Sequence, residues 1–332
     1  MKKGEGMARE KGKKVLVTGG AGFIGSNYVG YHLKQFPEDR VVVLDKLTYA
    51  GRMENLAEFK ANKNFAFVKA DICDAQAVGE ALKKYGIQEI VHFAAESHVD
   101  RSIAGQKVFL ETNVLGTYAL LEEARKHDIA RFVNIGTDEV YGSVERGESR
   151  EGDELKPRNP YSASKAAADR FAYSYFATYG LPVMMTRGSN TYGPKHFPEK
   201  VIPLFITNLM EGKKVPLYGD GKNVRDWLYA EDHCSGVAAV LRKGKAGEAY
   251  NIPGNKALQN VELTHALLKA MGKGKEMIQY VEDRKGHDKR YALNGDKLRA
   301  LGWKNEMNFE KGLKLTVQWY KENKAWWKPL KK

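Results

Sequence analysis

Thr137, Asp138 and Glu139 stand in an unbroken row, and Tyr161 and Lys165 follow with four-residue spacing. Two adjacent carboxyls in unlike surroundings can hold different protonation states, which gives one site both an acid and a base. Residues four apart at the start of a helix share one face, one turn apart. A nearby ammonium favours phenolate, so the spacing predicts that Lys165 draws Tyr161 from its reference pKa of about 10 toward working pH. Tyr161 then reads as a base toward a sugar hydroxyl, with Lys165 also placed to hold a ribose. A Tyr-x-x-x-Lys pair by itself is ordinary in amphipathic helices, so its meaning depends on what precedes it in the chain.

The apolar run at 131–135 predicts a strand that ends at Gly136, and in open α/β sheets ligands bind outside such carboxyl ends. Adjacent residues on a flat strand face opposite sides, so Asp138 and Glu139 are expected just beyond the strand end. Upstream, a strand at 15–17 runs into Thr18-Gly19-Gly-Ala-Gly22-Phe23-Ile24-Gly25, an amphipathic helix spans 26–36, and a second strand at 41–45 ends on Asp45. Glycines at 19, 22 and 25 between a strand and a helix form a variant of the dinucleotide fingerprint: without side chains there, a pyrophosphate can reach the helix N-terminus. Asp45 is placed to accept from adenosine ribose hydroxyls and would repel a 2′-phosphate, which predicts NAD rather than NADP. Strands at 65–71 and 90–94, with helices near 74–85 and up to about 127, continue the alternation. The chain is therefore expected to be α/β, with a doubly wound, Rossmann-type parallel sheet. Asp71 and Ile72 at one strand end reach toward adenine; Ala94, Ala95, Glu96, Ser97 and His98 at another line the nicotinamide side.

After the strand at 183–187 the alternation weakens through the turn-rich 188–194. The boundary is placed there: a cofactor domain at 14–190, a smaller mixed α/β domain at 191–332, and part of 225–255 returning to the first. Runs 198–203 and 217–221 read as loops around a ligand, and helices are expected near 231–242, 261–271 and 309–319. Trp319, Trp326 and Trp327 read as a packing anchor for the last helix.

The 332 residues, 42% hydrophobic with 17 Tyr and 13 Phe, can fill a substantial core. No window approaches the roughly 20 apolar residues of a membrane span, and the first residues lack a signal peptide's apolar core, so a cytoplasmic protein with no membrane partner is expected. Cys73 and Cys234 have neither CxxC spacing nor a His partner at metal-ligand spacing in sequence, and no metal site is expected. The net charge of +13 is concentrated at the ends, with six Lys/Arg against two Glu in 1–14 and five Lys against one Glu in 321–332. Residues 1–13 read as a disordered basic arm. That distribution speaks against a nucleic-acid groove and leaves room for a cleft that holds a phosphate-bearing substrate.

The glycine turn, Asp45 and Tyr161-x-x-x-Lys165 resemble the extended short-chain dehydrogenase/reductase superfamily. Finer runs resemble its dTDP-glucose 4,6-dehydratases: Leu44-Asp-Lys-Leu-Thr-Tyr-Ala-Gly51, Ala94-Ala-Glu-Ser-His-Val-Asp-Arg-Ser102, Thr137-Asp-Glu-Val-Tyr-Gly142, Phe197-Pro-Glu-Lys200 and Tyr218-Gly-Asp-Gly-x-Asn-Val-Arg-Asp-Trp-Leu-Tyr229. The likeness spans about 14–320. It implies NAD as cofactor, held also by Lys46, Leu47, Thr48 and Thr112, and a three-step reaction. Tyr161, aided by Thr137, takes the carbon-4 hydroxyl proton as hydride leaves; Glu139 removes the carbon-5 proton while Asp138 protonates the departing carbon-6 hydroxyl; hydride returns to carbon 6. The product is the 4-keto-6-deoxy sugar from which rhamnose and other deoxysugars begin.

The same resemblance places Ser97, Asn190, Glu199, Lys200, Val201 and Ile202 around the nucleotide diphosphate, followed by Pro203, Leu204, Pro216, Leu217 and Tyr218. Arg225, Asn260, Asp283, Arg284 and His287 complete the set, with the Arg225 fork suited to a diphosphate. Gly136, Thr191 and Lys285 depart from the family pattern, where Ser, a second Asn and Pro are frequent. It also implies a homodimer through the helices at 104–127 and 161–179. Uridine in place of thymidine, a same-fold UDP-sugar epimerase or decarboxylase, and a non-catalytic NAD-binding scaffold stay open; the Asp138-Glu139 pair argues against the epimerase and decarboxylase.

Overall fold

The apolar runs become strands of one parallel sheet. In the computed structural model, which describes residues 12–283 and 287–331, the strands in chain order are β1 (Lys14–Thr18), β2 (Arg40–Asp45), β3 (Phe65–Lys69), β4 (Glu89–His92), β5 (Arg131–Thr137) and β6 (Val183–Gly188). Then come β7 (Asn190–Tyr192), β8 (Val215–Tyr218), β9 (Val224–Tyr229), β10 (Ala249–Ile252), β11 (Ala257–Gln259) and β12 (Ile278–Val281). The first arm residues, Arg284 and Lys285 lie outside the described residues.

Seven strands pair in the order β10-β6-β5-β4-β1-β2-β3, every neighbour parallel. Parallel strands need covered faces, and their side chains alternate between two apolar layers. Val15 and Val17 enter a core shared with Tyr28 and Val29 of the helix Phe23–Gln35 and Val237 of the helix Ala230–Lys243. Leu16, between them, points the other way, toward Leu120 of the helix Thr117–Lys126 and Ala172 of the helix Pro160–Tyr179. The strand order reverses at β1 and β4, which opens a crevice at their carboxyl ends. β10 pairs with β6, so the chain rejoins the first sheet after leaving it.

The rest builds a smaller mixed unit: β11-β9-β7 in one sheet and β12-β8 in another. A third core, containing Ile206, Leu263, Leu313, Tyr320 and Trp327, packs the helices Val201–Met210, Asn260–Met271 and Phe309–Glu322 together. Trp319 and Trp326 meet edge to face at 5.0 Å, as a packing anchor would, and Trp326 also donates to Asn55 Oδ1 across to the first unit.

Two runs expected as loops are partly regular. Residues from Val201 begin a helix that tolerates Pro203, since a proline in the first turn removes no intrahelical bond. The run at 217–221 starts inside β8. Gly and Pro punctuation alone did not distinguish a ligand loop from these short elements.

Candidate active site

The glycine turn shows why side chains are excluded from it. Gly19 has φ +67°, and a Cβ there would lie 2.5 Å from the Ala94 nitrogen; one on Gly25 would lie 2.3 Å from the Gly19 carbonyl oxygen. Gly22 precedes the helix Phe23–Gln35 with no side-chain cap, so among the described residues the first amides of that helix have no side-chain partner and suit an anion. Asp45 accepts from the amides of Ala21 at 3.0 Å and Leu47 at 2.8 Å, so it braces the turn as well as facing the cavity. These features fit a dinucleotide pyrophosphate and ribose.

A cavity of about 460 Å³ runs from this turn across the ends of β4, β5 and β6 to the smaller unit. Its cofactor end includes Gly19, Gly22, Phe23, Ile24, Gly25 and Asp45, then Lys46 and Thr48, with Asp71, Ile72 and Thr112 beyond. Ala94, Ala95 and Ser97 line its middle. Lys46 Nζ joins two of these elements, 3.3 Å from Asp71 and 3.5 Å from Thr112. Toward the smaller unit lie Asn190, Val201 and Leu204, with Pro216, Tyr218, Arg225, Asn260 and His287, while Glu199 and Lys200 also line the cavity, bonded to Tyr49 and to the Ser97 carbonyl.

Some expected residues face elsewhere. In β8 alternate side chains point apart, so Pro216 and Tyr218 line the cavity while Leu217, 2% exposed, is buried away from it. On the helix Val201–Met210 the cavity face carries Val201, Leu204 and Phe205; Ile202 and Pro203 are buried off it. Leu47 packs against the first core and contributes its amide to Asp45. Asp283 sits behind the wall, where its carboxylate holds His287 Nδ1 at 2.7 Å. Arg284 is outside the described residues. Arg225 turns its fork to the carbonyls of Val224 and Asp288 and lies over the Tyr291 ring, while still bordering the cavity.

Asp138 and Glu139 lie just past β5, in the 3₁₀ turn Asp138–Tyr141. Thr137 Oγ1 donates to Asp138 Oδ1 at 3.2 Å and accepts from the Glu139 amide at 3.3 Å. Asp138 is 3% exposed, and its Oδ2 is buried without a hydrogen-bond partner among the described residues. Burial first, then the Glu139 charge, pushes its carboxyl well above the usual range, against a pull from Arg225. Glu139 is only half-buried and accepts from Asn159 Nδ2 at 3.3 Å. Asn159 also caps the helix Pro160–Tyr179 through the Ser162 amide, a cap worth about 1 kcal/mol, so one residue fixes both the helix start and the base.

Tyr161 and Lys165 share the cavity with this pair. Here the structure reverses the expected shift. Burial pushes the Tyr161 phenol above 10, Glu139 adds to the rise, and a Thr137 hydrogen bond works the other way. Lys165 is itself lowered to about 8, by burial opposed by Asp169.

The family described as GDP-mannose 4,6 dehydratase matches residues 16–316. A dTDP-glucose 4,6-dehydratase of Actinoplanes is 48% identical over 320 residues, covering 95% of this chain and 99% of that protein. The chain belongs to this dehydratase family, and within it to the dTDP-glucose 4,6-dehydratases. The low-salt glycan biosynthesis protein Agl12 of Haloferax volcanii is 51% identical over 306 residues, 92% of this chain and 98% of its own. The crystal structure of DesIV, the dTDP-glucose 4,6-dehydratase of Streptomyces venezuelae with NAD bound, superposes with a TM-score of 0.93 at 52% identity, covering 96% of this chain and all of that one.

Within the family frame, the cavity also contains residues that the sequence reading left out: Tyr49, His196, Phe197, Trp227 and His233, while Glu96 and His98 line it as expected for the run at 94–98. Tyr49, Phe197 and Trp227 stand inside the quoted motifs and His196 borders one, so a signal was present. His233 had none; it reaches the site from the helix Ala230–Lys243, with Nδ1 2.7 Å from Thr191 Oγ1. That bond gives Thr191 a side-chain partner within the cavity. Gly136 is equally local in cause: a Cβ there would meet the Thr186 carbonyl oxygen at 2.5 Å.

Proposed function

We propose that this chain is a hydro-lyase that dehydrates dTDP-glucose to dTDP-4-keto-6-deoxyglucose with NAD. One observation carries the reading: a buried Asp138, its carboxyl pushed well above the usual range, beside a half-buried Glu139, both in the cavity that contains Tyr161 and begins at the glycine turn. When bound, NAD supplies a positive charge near these groups and a two-electron store that takes the carbon-4 hydride and gives it back at carbon 6.

The chain's own groups move the protons. Tyr161 takes the proton of the carbon-4 hydroxyl, and the Thr137 hydroxyl steadies the phenolate by turning its proton from Asp138 to the phenolate oxygen. Its raised pKa means that cations must be near when it ionises, and Lys165, one turn away, is one. Glu139, held by Asn159, removes the carbon-5 proton that the neighbouring ketone acidifies. Asp138, whose carboxyl burial pushes well above the usual range, gives its proton to the carbon-6 hydroxyl so that it leaves as water. Walls from the smaller unit, including Leu204, Phe205 and Trp227, keep bulk water from the intermediate. The nucleotide diphosphate falls to the end bordered by Asn190, Arg225, Asn260 and His287.

Incubation with dTDP-glucose, and separately UDP-glucose, followed by mass spectrometry tests this. A product lighter by one water from dTDP-glucose, without net NADH, is expected. An isomer of unchanged mass would replace the reading by an epimerase.

A homodimer is proposed as well. Leu110, Leu115, Tyr118, Phe171 and Tyr179, each at least 41% exposed, stand on the neighbouring segments Leu110–Gly116, Thr117–Lys126 and Pro160–Tyr179. Such an apolar face on two helices suits a second copy of the chain. Light scattering should give twice the 37.3 kDa chain mass, and Leu115→Glu should halve it; a monomeric parent protein would remove the proposal. Among the described residues no helix is long and apolar enough to cross a membrane. A cytoplasmic setting, where the exposed Cys73 thiol stays reduced, is proposed and is open to cell fractionation.

A further inference from the structure

Glu199 was expected beside the nucleotide diphosphate, yet its carboxylate is engaged from the cofactor side. Tyr49 Oη donates to Oε1 at 3.0 Å, and Arg101 donates to Oε2 at 3.0 Å. The Arg101 guanidinium also lies over the Tyr49 ring, 3.8 Å from its centroid, and Phe197 meets the same ring edge-on at 5.3 Å. Three separate loops therefore close on one point: the one after β2 carrying Tyr49, the short helix Val99–Ala104 after β4 carrying Arg101, and the strap at 194–200.

The strap is pinned along its length. Lys195 Nζ donates to the Asn55 carbonyl at 2.9 Å and to Glu58 at 2.6 Å. The His196 ring stacks on Phe23 of the glycine turn at 4.1 Å and 13°. Lys200 Nζ donates to the Ser97 carbonyl at 2.8 Å. Directly after the strap begins the helix whose Val201, Leu204 and Phe205 wall the opposite end of the cavity. A ligand packing on that helix thus loads the segment that carries Glu199.

We infer that Tyr49, Arg101 and Glu199 form a clasp over the cofactor half of the cavity, and that occupation of the nucleoside-diphosphate end tightens it and slows cofactor release. The inference rests on the reading of the two ends as cofactor and nucleotide-sugar sites. Tyr49 and Arg101 are positioning residues in it: they act through Glu199 and the strap. The coupling has a use in a reaction that lends a hydride and recovers it, since cofactor lost midway would strand the sugar oxidised. It also has a cause in the geometry, because a partly buried carboxylate is costly without its donors and so ties the loops together.

The test is a double-mutant cycle on the rate of NAD release from the full-length protein, with and without dTDP. Tyr49→Phe keeps the ring contacts and removes one hydrogen bond; Glu199→Gln removes the charge. Each should speed release about tenfold, as loss of a bond to a charged partner would, and the double variant should release no faster than the faster single. dTDP should slow release from the parent protein and lose that effect in both variants. Unchanged release, effects that multiply in the double variant, or equal slowing by dTDP throughout would overturn the clasp. Calorimetry with dTDP separates the two ideas: no binding to the parent protein refutes the nucleotide-sugar reading, while release rates without dTDP still judge the clasp.

Discussion

Asp138→Asn should leave carbon-4 oxidation and carbon-5 proton removal running while water is no longer lost, with turnover down about 10²–10³-fold, the scale of a missing general acid. The amide fills the same space but has no proton to give. In deuterated water, recovered dTDP-glucose should gain one mass unit at carbon 5, because Glu139 still exchanges that proton. Stability should move the other way. Asp138 has its folded pKa raised, so the folded state binds the extra proton, and stability falls as pH rises from the unfolded value through the folded one. Asparagine removes that loss at neutral pH, so Tm should not fall. The parent enzyme should also lose rate as pH rises through the Asp138 pKa. Full turnover in the variant would end the assignment; loss of activity together with a fallen Tm would point to a structural role instead.

How far the sequence could be read is clearest at β1 and at the clasp. The run at 15–17, the three glycines and Asp45 are close in the chain, and backbone geometry leaves one arrangement for them: Gly19 at positive φ against Ala94, and Gly22 uncapped. The Asp138-Glu139 pair was legible for the same reason, since two neighbours cannot share one face of a strand. Glu199 was legible only as a member of a motif. Its partners Tyr49 and Arg101 are 150 and 98 residues away, and no local pattern announces them. Strand and helix faces divide the rest: Leu217 and Ile202 sit inside runs expected at the ligand, but periodicity buries both away from the cavity. Burial is the other missing quantity. Spacing puts a cation near Tyr161, which favours phenolate; folding puts both groups out of water, which opposes it, and the second effect is larger in the protein alone.

That balance sets the expectation for Tyr161→Phe, the largest in the molecule. In the proposed mechanism the Tyr161 phenolate receives the first proton, and every later step needs the ketone that its loss creates. Turnover should fall by about 10³–10⁴-fold, toward the upper range for a removed base. Unlike Asp138→Asn, this variant should show neither deuterium at carbon 5 nor a reduced-nicotinamide absorbance on mixing with dTDP-glucose, because Glu139 has no acidified proton to take. NAD retention should be close to that of the parent protein, since the ring keeps its edge contact with Phe109 and the hydroxyl is not a strap contact. The pH dependence should separate the roles further. Lys165, lowered to about 8, sheds its charge as pH rises past that point, and the phenolate then loses its nearest support on the helix face. The parent enzyme should therefore gain rate with rising pH as Tyr161 ionises more readily, then lose it above about 8, and residual activity in Tyr161→Phe should lack the rising limb. Carbon-5 exchange at the parent rate in Tyr161→Phe would show that another group takes the first proton, and Thr137, bonded to both the phenol and Asp138, would be the next to test.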